Sequence, residues 1–261
     1  MNSRVTNLRK LRPAKVRSAV RRRVFEHRLG RLQPARTVRT VDVGTAYGGW
    51  RIPLDLVDGS WTCWCIGAGG DVSFDLALAE RGAAVRVVEP VEHFADQARG
   101  DLAPFPSAQV FHAALTPTDG PVRMGRHHQE HSRSLSNAGL YESSVWVDVP
   151  GRSLPSLLAE AGDQRVELLK LDVEGAEYDL IPQLDLEGLG VRVFSTQLHH
   201  TRTAKAGLEL VEHLAERGYR LIAQRPTVKL TFVADQPTQA LSLDGDFRSV
   251  RPPHVRADRA A

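Results

Sequence analysis

Leu168-Leu-Lys-Leu-Asp-Val-Glu-Gly-Ala-Glu-Tyr178 is a short apolar run that ends in acidic residues and turns through Gly175 toward a helix. Well upstream, Cys65-Ile-Gly-Ala-Gly-Gly-Asp71 repeats the plan: an apolar run, a glycine-rich turn and a helix-forming stretch. Two strand–turn–helix units of this kind belong to α/β proteins, whose parallel strands alternate with covering helices.

Working outward, strands are expected at 62–66, 84–88, 109–111, 145–149, 166–171, 191–197, 219–223 and 229–233. Helices are expected at 72–81, 94–101, 154–161, 176–184 and 206–217. Strands spaced by helix-length segments imply a mainly parallel sheet with helices on both faces. The last two strands are joined by the short segment Gln224–Val228, which predicts an antiparallel hairpin at one edge. The expected organisation is a basic arm over 1–37, one domain over 38–235 and a loosely ordered tail over 236–261, with Pro252 and Pro253.

The 261 residues are 42% hydrophobic and 25% charged, enough for one large core. No apolar run approaches the roughly 20 residues that cross a bilayer. The first residues lack the apolar core of a secretory signal, so a cytoplasmic location is expected. Cys63 and Cys65 are read as reduced thiols on opposite faces of their strand. Through Arg39 the chain carries 13 Lys+Arg against a single acid, Glu26, although the whole has a net charge of only +3. Val16, Val20, Val24 and Phe25 form an apolar stripe among arginines. That arm is expected to touch an anionic surface, not nucleic acid, because no basic stripe with interleaved aromatics continues beyond it.

Gly67, Gly69 and Gly70 follow the strand at 62–66, and Asp71 leads into the next helix. Such a turn lets the backbone approach a ligand closely. Glu89 stands 22 residues beyond Gly67, at the end of the next strand, where a carboxylate can accept hydrogen bonds from ribose hydroxyls. A nicotinamide dinucleotide fits less well, since Val72 replaces the third glycine of G-x-G-x-x-G. Ala113, in His112-Ala-Ala-Leu115, supplies a small side chain where an adenine ring can slot. These residues read as a nucleoside-cofactor site formed by Gly67, Gly69, Asp71, Glu89 and Ala113. Tyr47-Gly-Gly-Trp50 reads as a loop able to cover a pocket.

On the second unit, strand alternation puts Lys170, Asp172 and Glu174 on one side, with Lys170 placed to pair with an acid. Gln197-Leu-His-His-Thr201 ends the following strand, so His199 can face Asp172 across the mouth of the sheet. A histidine titrating near neutrality and oriented by a carboxylate suits a general base. The candidate catalytic residues are therefore His199, Asp172 and Glu174. No metal is expected. Were a divalent ion such as Mg²⁺ bound, Asp172, Glu177 and His199 are the assigned ligands, with Glu174 as the alternative acid. His127-His-Gln-Glu-His131 lies in a polar stretch without periodicity and reads as a loop.

Several motifs together resemble the FkbM family of S-adenosylmethionine-dependent methyltransferases, over about residues 38–235. Lys170-Leu-Asp-Val-Glu-Gly-Ala-Glu177 is close to that family's K-[IML]-D-[IV]-E-G-[AS]-E signature. Gly67-Ala-Gly-Gly-Asp-Val-Ser-Phe-Asp75, Val88-Glu-Pro90, Arg152-Ser-Leu-Pro-Ser-Leu-Leu158 and the stretch 218–233 resemble its other segments. The resemblance implies a Rossmann-like class I fold with a seven-stranded sheet. It also implies S-adenosylmethionine as donor, Asp172 touching that donor, and a hydroxyl acceptor on a small molecule, sugar, glycan or polyketide. Cys65, where many members carry an acid, and Gln197, where many carry Glu, depart from the pattern. Two other readings stand beside it: an inactive cofactor-binding interaction protein, and a nucleotide-sugar or NAD-binding Rossmann enzyme. The sequence leaves the oligomeric state open.

Overall fold

The computed structural model describes residues 23–25, 27–29, 38–126, 135–137, 146–199, 202–225 and 228–235. The 1–22 part of the basic arm, the His127–His131 motif and the 236–261 tail lie outside them. The main sheet has seven strands in the order β12-β13-β11-β10-β3-β4-β5. These are β3 (Thr62–Ile66), β4 (Ala84–Glu89), β5 (Gln109–His112), β10 (Leu168–Leu171), β11 (Val193–Gln197), β12 (Tyr219–Arg225) and β13 (Lys229–Ala234). Five of them, β11 through β5, run parallel, and β13 is antiparallel to both β11 and β12.

The central strands are apolar along their length because both faces are covered. One face packs against α1 (Ser73–Glu80) and α2 (Glu92–Leu102) through Phe74, Leu78, Ala98 and Leu102. The other carries α3 (Leu154–Ala161), α4 (Glu177–Leu180) and α5 (Ala204–Glu216) through Leu157, Tyr178, Leu210 and Val211. Ser153 caps the start of α3, accepting from Ser156 N, and Gly162 closes it in the left-handed conformation, as its sequence signals demand. The expected helix at 176–184 stops sooner. After Leu180 it tightens into a 3-10 turn over Ile181–Gln183, where Pro182 contributes no N–H.

Two expectations are corrected. Residues two apart on a strand share a face, so Cys63 and Cys65 both point into the α1/α2 layer, while Trp64 and Ile66 point into the other. Both cysteines are nonetheless free and buried. The strand expected at 145–149 does not join the main sheet. It is β9 (Trp146–Arg152), in a four-stranded sheet ordered β6-β9-β7-β8, with β6 (Ala114–Leu115), β7 (Gly120–Arg126) and β8 (Leu135–Asn137). Its half-exposed pattern cannot fill a position buried on both sides. Within the expected arm, Phe25 and Leu29 are buried in the core beside α5. Phe25 occupies a notch at Gly207, where a Cβ would come within 2.7 Å of the phenyl ring. Val24, from the same stripe, is exposed. Among the described residues no helix is long and apolar enough to cross a membrane.

Candidate active site

The site lies at the carboxyl ends of the parallel strands, where loops diverge and leave a crevice. Gly67 follows β3 with φ +81°, a conformation L side chains rarely adopt. A Cβ there would fall 1.9 Å from the Asp172 carbonyl oxygen, so glycine is what lets the two turns meet. Gly69, at φ +59°, has open space where its Cβ would be. Glu89 ends β4 and is 3% exposed. Its Oε2 accepts from Ala68 N at 3.0 Å and Gly69 N at 2.8 Å, and its Oε1 accepts from Val91 N at 2.9 Å. Burial raises the Glu89 pKa against the pull of those three donors. Glu89 therefore shapes the glycine turn as well as lining the crevice.

Asp71 departs from expectation. Its carboxylate accepts from Thr45 Oγ1, from Gly48 N at 3.1 Å and from Ser73 N at 3.0 Å, and it does not line the crevice. These bonds fasten the loop between β1 (Val41–Val43) and β2 (Trp50–Ile52).

The crevice holds about 1070 Å³, its open mouth included. It runs from Gly69, Glu89 and Ala113 past Lys170 to Asp172 and Glu174. Val122 and Met124 of β7 form an apolar wall, and Tyr47 stands at the mouth. Lys170, 4% exposed, donates to the Gly67 carbonyl rather than pairing with an acid. Glu174 takes φ +52° ahead of Gly175 at +103°, which breaks the strand alternation and turns its carboxylate toward His199.

Glu177 is wholly buried, and its Oε1 accepts from Val173 N at 3.1 Å and from His199 Nδ1 at 2.8 Å. His199 Nε2 lies 3.4 Å from Glu174 and 3.8 Å from Asp172. Burial works to lower the His199 pKa, but the charge and hydrogen bond of Glu177, then Glu174 and Asp172, outweigh it and raise the value to about 10. His199 is thus an imidazolium at neutral pH. In that form both ring nitrogens carry protons, so the base role expected of it requires the Nε2 proton to leave first. His199 does not line the crevice. Gln197 Nε2 sits 3.2 Å from His199 Nε2, and the imidazolium can be satisfied there only if the amide presents its oxygen.

Asp172, Glu174 and His199 each bring one ligand atom within 4.8 Å of the others, a set able to hold a divalent cation once the imidazolium surrenders its proton. Glu177, expected among such ligands, instead occupies the far ring nitrogen.

A sequence model of the methyltransferase FkbM domain matches residues 65–221, more than half of the chain. The chain belongs to the FkbM methyltransferase family. No curated protein matches it. Methyltransferase FkbM from Methylobacillus flagellatus KT is similar in structure at a TM-score of 0.44 and 12% identity, over 66% of this chain. This chain spans 43% of that protein's length. A SAM-dependent methyltransferase from Aquifex aeolicus is similar at 0.37 and 10% identity, over 86% of this chain and 98% of that one. The family assignment rests on the sequence match.

Within the FkbM domain, the departure at Cys65 has a local counterpart. Asp75 of α1 is 1% exposed, its Oδ1 has no hydrogen-bond partner among the described residues, and burial raises its pKa against the pull of Lys170 and the neighbouring Cys65. An acid is thus present against this strand, delivered from the helix. Sequence reasoning missed Lys229, which lines the crevice from β13 just beyond the matched stretch. A lone lysine opening the apolar run Lys229-Leu-Thr-Phe-Val233 was the available signal.

Proposed function

We propose that this protein is an S-adenosylmethionine-dependent O-methyltransferase whose acceptor is a hydroxyl on a sugar, a glycan or a polyketide-type natural product. The observation that carries the reading is a single crevice joining the glycine turn and Glu89 to Asp172 and Glu174. The residues present fit the donor. Gly69 leaves open room beside the turn, Glu89 has lone pairs left after its backbone bonds, and Ala113 is small enough to lie under a ring. Val72, at the third position of the dinucleotide motif, is buried in the core, which favours a shorter nucleoside ligand.

Bound there, S-adenosylmethionine supplies an electrophilic methyl group. The chain's own work is alignment and proton removal. Asp172 and Glu174 line the crevice and are the groups available to take the proton of an acceptor hydroxyl. His199, tied to Glu177, stands beside both carboxylates and helps to fix their position. Lys170 holds the Gly67 carbonyl, which ties the donor turn to the strand that leads into the acidic turn.

Calorimetric titration with S-adenosylhomocysteine and NAD⁺ tests the reading, followed by labelled methyl transfer to hydroxylated acceptors with and without Mg²⁺. Binding of S-adenosylhomocysteine alone is expected. A folded protein that takes NAD⁺ and not S-adenosylhomocysteine overturns it.

A further inference from the structure

Lys229 is 8% exposed, and no carboxylate lies within ion-pair distance of it among the described residues. Its ammonium instead donates to the carbonyls of Tyr47 at 2.7 Å and Gly49 at 3.3 Å, and stands 4.7 Å from the centre of the Trp50 ring. All three contacts belong to the segment Thr45–Trp50, which lies far away in sequence. The same segment is fastened on its other side by Asp71, through Thr45 Oγ1 and Gly48 N, and by Ser73 Oγ, which accepts from Thr45 N at 2.9 Å. It is a strap held at both margins of the crevice mouth.

The strap has no slack. A Cβ at Gly48 would lie 2.5 Å from Asp71 Cγ, and one at Gly49 would lie 2.3 Å from Thr45 O. Tyr47 projects from it at 66% exposure and still lines the crevice, with no core packing of its own to account for it.

Burying an ammonium without an anion is costly, and an apolar side chain at this strand position would avoid that. The cost is visible in the lysine's acidity. Burial, Lys170 and Arg225 press its pKa down to about 8, against the opposing pull of Asp172 and Asp71. A lysine kept at such a place has work to do there.

Building on the donor reading above, we propose that Lys229 is a positioning residue that holds the Thr45–Trp50 strap across the crevice mouth, so that Tyr47 retains the donor beneath it. Lys229 acts through the strap's backbone. Both the strap and Lys229 fall outside residues 65–221, the stretch that the family model matches.

The test uses the full chain and the variants Lys229→Met, Lys229→Arg and Tyr47→Ala. S-adenosylhomocysteine affinity and dissociation rate are measured together with amide hydrogen exchange over 45–50. Lys229→Met is expected to weaken binding about tenfold, mainly by faster dissociation. It should also raise exchange over 45–50 while leaving β3 and β10 protected. Lys229→Arg should restore both, since a guanidinium can donate to the same two carbonyls. Tyr47→Ala, at an exposed position that does not bear on folding, should speed dissociation without changing strap exchange. Wild-type affinity and dissociation in Lys229→Met, or unchanged exchange over 45–50, overturns the proposal. Wild-type protein that binds no S-adenosylhomocysteine sinks the donor reading instead, and strap exchange in Lys229→Met then decides the role of Lys229 by itself.

Discussion

His199 donates through Nδ1 to the wholly buried Oε1 of Glu177 at 2.8 Å, so the imidazole is held from behind by an acid that water does not reach. Glu177 leads α4, two residues after the turn glycine, and cannot swing away without giving up the hydrogen bond from Val173 N.

The first prediction concerns that ring. In protein free of divalent cations, the His199 imidazole should titrate far above neutrality, toward 10, and Glu177→Gln should bring it back toward 6.5. Because the folded value is raised, the associated stability is complete below about pH 6.5 and is lost as the pH climbs through 10. The stability gap between wild type and His199→Gln should therefore narrow across that window, by about 2 kcal/mol after screening. NMR titration and denaturant unfolding at several pH values check both statements.

Glu89→Ala removes one acceptor shared by three backbone N–H groups. S-adenosylhomocysteine binding should weaken by ~1–3 kcal/mol, the scale of hydrogen bonds to a charged group. Unchanged calorimetric affinity would take Glu89 out of the site.

The two turn glycines should behave differently. Gly67→Ala drives a methyl group into the Asp172 carbonyl and should destabilise the fold by roughly 3 kcal/mol or more, whatever ligand is present. Gly69→Ala meets nothing and should cost only about 1 kcal/mol of backbone strain. Its larger effect should appear in donor affinity, because the added methyl projects into open space beside the crevice. Thermal unfolding beside calorimetry separates the two outcomes.

Asp172→Asn keeps the shape of the acidic turn and removes a proton acceptor. Turnover should fall by ~10²-fold or more with donor affinity little changed. A turnover near wild type would assign proton removal to Glu174 or to solvent.

Much of this architecture was readable from local signals. Ser153 with Pro155 and Gly162 mark both ends of α3, and the apolar runs at 62–66 and 168–171 can only be central strands. Glu89 was identifiable from its distance to the glycine turn, although its bonds to Ala68, Gly69 and Val91 were not. Where reading failed, the deciding fact was three-dimensional. The left-handed backbone at Glu174 cancels strand alternation and brings its carboxylate beside His199, which Asp172 and Glu177 also flank. Asp71 was assigned to the ligand because nothing in its neighbourhood of sequence announces Thr45 and Gly48 as its partners. Lys229 escaped notice for the same reason: its acceptors, Tyr47 and Gly49, are brought to it only when the hairpin pairs with β11.

Gly207 sits inside α5, where glycine weakens a helix by about 1 kcal/mol relative to alanine. The gap it leaves is filled by the ring of Phe25. The two positions are therefore coupled in size: neither can grow or shrink alone without opening a hole or forcing a collision. A variant library over this pair should recover function in complementary combinations, a small residue facing a large one. The segment that carries Phe25 and the helix it plugs would then tolerate change only as a pair.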